Sequence, residues 1–315
     1  MALSPGPVLV RDALELWCAA GASGALRVLE APGGVIHLVG GRIAYAESPV
    51  TTSLERQLAA TGRVSTEAWR AAAATGRAQA RIGDELIEAA LVSRLELEAL
   101  AEIAIHDAAF FLLDLVAMAR FEPGARHPLG HRRLLDLRAV CQEAERRRRL
   151  LADAWPDQAI DTAAVLPVSR LTGQVVALTA LQWEVVANAN RRRSPIDLAR
   201  LLGRDTFGVL LEVRRMARAG LVEAGRQGGS AASESVAAAR AAAAVAQQTE
   251  PVRRGPARSG KRKAAVAEAP TTLDRRTIPQ QRRPVPVEQI APHASDEHRL
   301  SDQVLTRLIA GLTAL

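Results

Sequence analysis

Residues 24–47, GALRVLEAPGGVIHLVGGRIAYAE, constrain the fold of this 315-residue chain more than any other stretch. Three short runs suited to strands, GALRVLE, GGVIHLV and GRIAYAE, are separated by Pro32-Gly33-Gly34 and by Gly40-Gly41. Gly-Gly between two such runs signals a hairpin, because both central residues of the favoured tight turn need positive φ. Residues 11–20 before them, RDALELWCAA, carry apolar side chains at helical spacing and stop at Gly-Ala-Ser-Gly. Helices rich in Ala and Leu are expected after the strands, over 53–61, 67–74, 84–90 and 95–115, then a short strand near 118–121. A long helix over 133–154 holds the run Arg146–Arg149. Residues 8–155 therefore read as an α+β domain, a small antiparallel sheet with several helices packed against it.

A second, mainly α domain is expected over 165–225. QVVALT, residues 174–179, has the composition of a strand. Residues 180–190 form a helix with Leu181, Val185, Val186 and Ala189 on one face and Trp183 beside it. Ser194 and Pro195 open a second helix as N-cap and first-turn residue, and Gly203 ends it. Asp205 caps a third helix that runs to about Ala219, and Gly220 releases the chain into a short strand at Leu-Val-Glu. Residues 226–296 are low in complexity, with 12 Arg and Lys against six Asp and Glu, which gives +6 of the whole chain's +7. Such a segment reads as a disordered basic linker. It also leaves the folded body near neutrality, so total charge says little about a nucleic-acid site on the body. Residues 297–315 return to a helical pattern whose stripe, Leu300, Val304, Leu308 and Leu312, makes a candidate partner-binding helix.

The strand series resembles the PatA N-terminal-like (PATAN) domain of bacterial signalling proteins, whose small sheet reads G-x-L-x-V, G-x-I-x-L, G-x-I-x-A. Gly24, Leu26, Val28, Ile36, Leu38, Gly41, Ile43 and Ala46 stand at or near its positions, and the similarity continues to Leu115. The resemblance implies a regulatory or interaction module without enzymatic activity. The spacing LTALQWEVVANAN, LARLLG, Phe207, AGLVE resembles the winged helix-turn-helix domain often found behind PATAN-type domains. Residues 81–100 are similar to the repeat of the MshE N-terminal domain of secretion and pilus ATPases, which in some members binds cyclic di-GMP. Arg81, Gly83, Leu86 and Leu97 match it, but Ala90 and Ala104 replace its glycine and glutamine and a single copy is present. An ordinary helical packing unit is the expectation there.

The winged-helix resemblance implies a recognition helix at 205–219. On a wheel of 100° per residue, Phe207, Leu210, Val213 and Ala217 face inward, with Val209 and Leu211 at the edges. Arg214 also points inward and is expected to snorkel out along its stem. The outer face mixes Arg204 and Arg215 with Asp205 and Glu212. Candidate contacts to double-stranded DNA are Arg191, Arg192 and Arg193 in the turn before the second helix, with Arg204, Arg215 and Arg218. The same arginine triplet also suits a solvated helix end. The segment after LVE offers no second strand, so the wing is expected to be stunted.

No phosphate-binding loop, nucleophile elbow or H-E-x-x-H helix occurs, and no cofactor, metal or enzymatic activity is expected. His127 and His131 are separated by Pro128 and Gly130 and have no acidic or cysteine neighbour, while His37 and His106 read as structural. Asp107 and Asp114 read as solvated. Cys18 and Cys141 read as buried free thiols. With no leader-like start and no apolar run near the roughly 18 residues of a membrane span, a cytoplasmic protein that does not engage membranes is expected. Two functions fit: a DNA-binding transcriptional regulator with a PATAN-like sensing or interaction domain, or a signalling adaptor whose winged helix and C-terminal helix dock protein partners. The 133–154 helix could pair with itself in a homodimer.

Overall fold

The computed structural model describes residues 6–131, 133–171, 175–225, 236 and 238, all within one compact unit. The chain opens with β1 (Val8–Leu9) and α1 (Val10–Ala19), then forms three consecutive strands, β2 (Gly24–Val28), β3 (Gly34–Val39) and β4 (Arg42–Glu47). Gly40 and Gly41 both adopt positive φ, 56° and 76°, which is the backbone that the Gly-Gly hairpin requires. Four helices follow: α2 (Leu54–Ala60), α3 (Thr66–Gly76), α4 (Ile82–Glu88) and α5 (Arg94–Leu112). Ser53, Ser65 and Ser93 start α2, α3 and α5, each hydroxyl accepting from a first-turn amide. After β5 (Val116–Ala117), β6 (Ala119–Pro123) joins the sheet on the free edge of β2, so the antiparallel order is β4-β3-β2-β6. The long helix α6 spans Leu137–Ala154 and starts four residues later than the sequence suggests, because Leu135 is held by a bridge to Ile43 of β4.

The pleat sorts the side chains to two sides. Leu26, Val28, Ile36, Leu38, Ile43 and Ala46 pack with Val10, Leu14, Ile105, Leu112 and Val140 from α1, α5 and α6. Tyr45 projects to the other side and joins Leu54, Leu58, Ile82, Leu86, Leu97 and Leu129. Opposite His37 and Leu38 the register shifts, because Ala44 of β4 is an extra residue between Ile43 and Tyr45, and this bulge sends those two side chains to different cores. Cys18 and Cys141 are free and half-buried against the first core, and burial pushes the Cys18 thiol up to about 11.

The remaining elements are a 3-10 turn (Gln158–Asp161), β7 (Val165–Pro167), α7 (Ala180–Asn188), α8 (Pro195–Leu202), α9 (Thr206–Arg218) and β8 (Val222–Ala224). Capping boxes at Thr179 and Ser194 start α7 and α8, and Gly203, at φ 63°, turns the chain from α8 into α9. The strand expected at 174–179 does not form: Gln174 is outside the described residues and Val175–Thr179 belong to no regular element. Upstream β7 pairs with β8 instead, Val165 opposite Ala224, and supplies the only partner strand that β8 has among the described residues. Their core gathers Ile160, Val165, Val185, Leu198, Val209, Val213 and Met216.

A further core crosses from one region to the other. Val50, Phe110, Phe111 and Leu151 pack against Ile196, Phe207 and Leu210. The turn at Gly203 sits so close to α2 that a side chain there would collide with Ala60 and the Arg56 carbonyl. No helix among the described residues is long and apolar enough to cross a membrane.

Candidate functional site

The amino end of α9 is closed. Asp107, on α5 and 1 % exposed, accepts from the backbone amides of Thr206 at 2.6 Å and Phe207 at 3.1 Å. Its Oδ1 also takes Arg147 of α6 at 3.0 Å, and that guanidinium lies 4.5 Å from the Phe207 ring centre while bonding Glu143 at 2.9 Å. Asp205 caps the same helix through Gly208. Burial, then the charge of Asp205, push the Asp107 carboxyl up to about 6, against the pull of Arg147 and the two amides. The expectation that Asp107 is solvated is thus overturned. Its sequence signal was legible: from Ala104 to Leu112 α5 carries only His106 and Asp107 among apolar residues, so an acid there has to find a buried partner. Asp114 does lie at the surface, paired with Arg11 and Arg148.

Arg214 does not snorkel. At 3 % exposure it forms a bidentate pair with Asp161, at 2.8 and 2.6 Å, and its Nη1 donates to the carbonyls of Leu151 and Trp155. Those two carbonyls close the C-terminal end of α6, so the arginine ties α9 to α6 and to the 3-10 turn. Enough acceptors exist inside to satisfy the guanidinium, and the stem therefore has no reason to turn outward.

The six candidate DNA contacts are dispersed. Arg204 forks onto Glu184 of α7 at 3.0 and 2.7 Å, and Arg215 is tied at 2.6 Å to Glu212, which also accepts from Gln182. Arg218 donates to the Asp153 carbonyl, and Arg193 to that of Asn188. Arg191, at φ 65°, and Arg192 stay exposed beyond the end of α7 and form no ion pair among the described residues. The partner-binding candidates Leu300, Val304, Leu308 and Leu312 lie outside the described residues.

The outward side of α7 escaped the sequence reading. Val185 points to the core, with Leu181, Val186 and Ala189 partly buried around it, which leaves Ala180, Trp183 and Ala187 on the exposed side. Trp183 is 62 % exposed, and Val175, in the approach to α7, is 88 % exposed. Helical spacing sets Trp183 beside the inner face. Only the placement of Gln182 against α9 and of Glu184 against Arg204 turns it fully outward.

Elsewhere, a cavity of about 500 Å³ opens between β3, the start of α4 and the 124–131 loop, with His37, Arg81, Asp84, Arg126, His127 and His131 on its wall. His127 stacks on Tyr45 at 3.8 Å, meets His37 edge-on at 5.2 Å and lies 3.4 Å from Glu47. Burial, then repulsion from His127, lower His37 to about 4. Arg81 is tied to Glu88 at 2.8 Å and Asp84 at 3.7 Å. Among the described residues no three His, Cys, Asp or Glu side chains converge as metal ligands.

No protein-family model, curated protein or solved structure matches the chain.

Proposed function

We propose that this is a regulatory protein that acts by docking another protein on its three-helix unit, α7 to α9, while the sheet region holds that unit in a fixed orientation. The observation that carries this reading is the closed end of α9. A helix that reads the major groove presents its first turn to base edges, whereas here the Thr206 and Phe207 amides donate into a buried carboxylate. Arg204 and Arg215, the cations of the presumed reading face, are already neutralised by Glu184 and Glu212. The PATAN-like pattern of the strands agrees with an interaction module.

The second reading is a regulator that binds double-stranded DNA. It is favoured by one observation, the exposed Arg191 and Arg192, which suit phosphate contacts from the turn between α7 and α8. The test is binding of the full chain to mixed duplex DNA across a salt series, with Arg191→Ala/Arg192→Ala as comparison. Docking predicts no sequence-selective binding and only weak, salt-sensitive association from the basic 226–296 segment, unchanged by the two substitutions. Selective binding that the substitutions abolish overturns docking in favour of DNA.

A further inference from the structure

Nine large apolar side chains are exposed among the described residues, and five of them, Leu171, Val175, Val176, Trp183 and Leu201, fall between residues 171 and 201. Trp183 stands on α7, and Val175 and Val176 lie in the segment that leads into it, so this stretch of the chain carries exposed apolar side chains of the kind that mark interaction surfaces. On α7 itself the outward stripe Ala180, Trp183, Ala187 contains no charged residue, although it faces water. The two alanines are small, so the indole is the one large side chain of the stripe. A rise of 1.5 Å per residue makes this stripe about 10 Å long, two turns of helix.

We infer that the outward face of α7 is the docking surface for an amphipathic helix of another protein, apolar toward Trp183 and acidic at the end that reaches Arg191 and Arg192. This rests on the docking reading above and gives it a partner of definite chemistry. The polarity comes from the two ends of the stripe. Residues 175–179, which lead into α7, are uncharged, whereas Arg191 and Arg192 follow its other end and form no ion pair among the described residues. Arg204 and Arg215 are held by Glu184 and Glu212, whereas Arg191 and Arg192, just past the end of α7, are exposed and keep their charge uncompensated among the described residues.

The same polarity rules against a twofold contact of α7 with α7 of a second copy. A twofold contact through Trp183 with antiparallel helices would set each copy's Arg191 and Arg192 against the other's uncharged Val175–Thr179 end. A parallel contact would set arginine against arginine. Neither arrangement supplies the acid that the cationic end calls for. A central aromatic anchor that carries much of the binding energy, with charges that set the partner's orientation, is a usual division of roles at a protein interface.

The experiment uses the full chain and two labelled amphipathic helical peptides of about 18 residues that share one leucine face. One carries glutamates on the polar side and at one end, the other lysines. Binding is read by fluorescence anisotropy for wild type, Trp183→Ser and Arg191→Glu/Arg192→Glu, with thermal unfolding as the folding control; exposure of Trp183 predicts an unchanged Tm. The inference expects the acidic peptide to bind, to weaken about tenfold in Trp183→Ser, and to weaken in the charge reversal while the lysine peptide gains. It is overturned by acidic-peptide binding that ignores Trp183, by equal binding of the lysine peptide, by no binding of the acidic peptide, or by a Trp183-dependent dimer in sedimentation equilibrium. A parallel titration with duplex DNA separates the two levels. Absence of both peptide and DNA binding removes this occupant alone, whereas selective DNA binding through Arg191 and Arg192 removes the docking reading with it.

Discussion

Replacing Arg214 by methionine tests how α9 is fastened. Methionine fills most of the stem's volume and removes the guanidinium, so the Asp161 carboxylate, 1 % exposed, loses its bidentate partner, and the Leu151 and Trp155 carbonyls lose the Nη1 donor. Breaking a buried pair from one side costs about 3–5 kcal/mol, and each orphaned carbonyl adds up to about 1–3 kcal/mol where water does not reach it. A loss of about 4 kcal/mol or more is therefore expected, a large part of the roughly 5–15 kcal/mol that holds a domain folded. An arginine that snorkelled to the surface would cost about 0.5 kcal/mol. The assay is urea unfolding of the full chain, followed by tryptophan fluorescence and far-ultraviolet circular dichroism. Arg214→Met/Asp161→Leu should recover about 2 kcal/mol over the single variant, because no buried charge is left without its counter-ion. A single-variant loss below about 1 kcal/mol, or a double variant whose loss equals the sum of the two singles, would refute the reasoning.

Three further outcomes are expected. Asp107→Ala orphans the Thr206 and Phe207 amides and should destabilise by at least about 2 kcal/mol in the same unfolding assay; an unchanged midpoint would mean that water satisfies the end of α9. Gly203→Ala combines a φ of 63° with a collision against Ala60, so it should cost about 2–4 kcal/mol, and Ala60→Gly should restore part of that loss. His37, lowered from 6.5 to about 4, takes up its proton more readily unfolded than folded, so its contribution to stability is present above about 6.5 and is lost as pH falls through about 4. The lost amount is about 3 kcal/mol, and His37→Gln should flatten stability against pH over that window; parallel profiles for wild type and variant would exclude the effect.

The sheet was legible because its turns are chemically explicit: Gly40-Gly41 dictates a hairpin whatever surrounds it, and alternation along Leu26, Val28, Ile36 and Leu38 names the inner face. The starts of α8 and α9 were legible for a similar local reason, the Ser194 and Asp205 side chains that accept from first-turn amides. Long-range choices were not. Nothing local in Ala119–Pro123 says that it will pair with β2, and nothing in Val165–Pro167 says that it will outcompete the more β-branched 174–179 for β8. The site was legible only in part. Arg191 and Arg192 stand exposed in the turn before α8, where the sequence sets them, while Arg204, Arg215 and Arg218 are taken up by partners 20, 3 and 65 residues away in sequence. Periodicity assigns a side chain to a face but does not report an acceptor waiting on that face, which is why Arg214 was misjudged.

The paired carbonyls at the end of α6 bear on where this chain can be divided. A fragment starting after Trp155 would keep Arg214 and Asp161 together but discard the Leu151 and Trp155 acceptors, and with them Asp107, Arg147, Phe110 and Phe111. Ile196, Phe207 and Leu210 would then open to water as a new greasy surface on a three-helix piece. Such a piece would stick to itself or to any ligand offered, and its binding would report the cut rather than the protein.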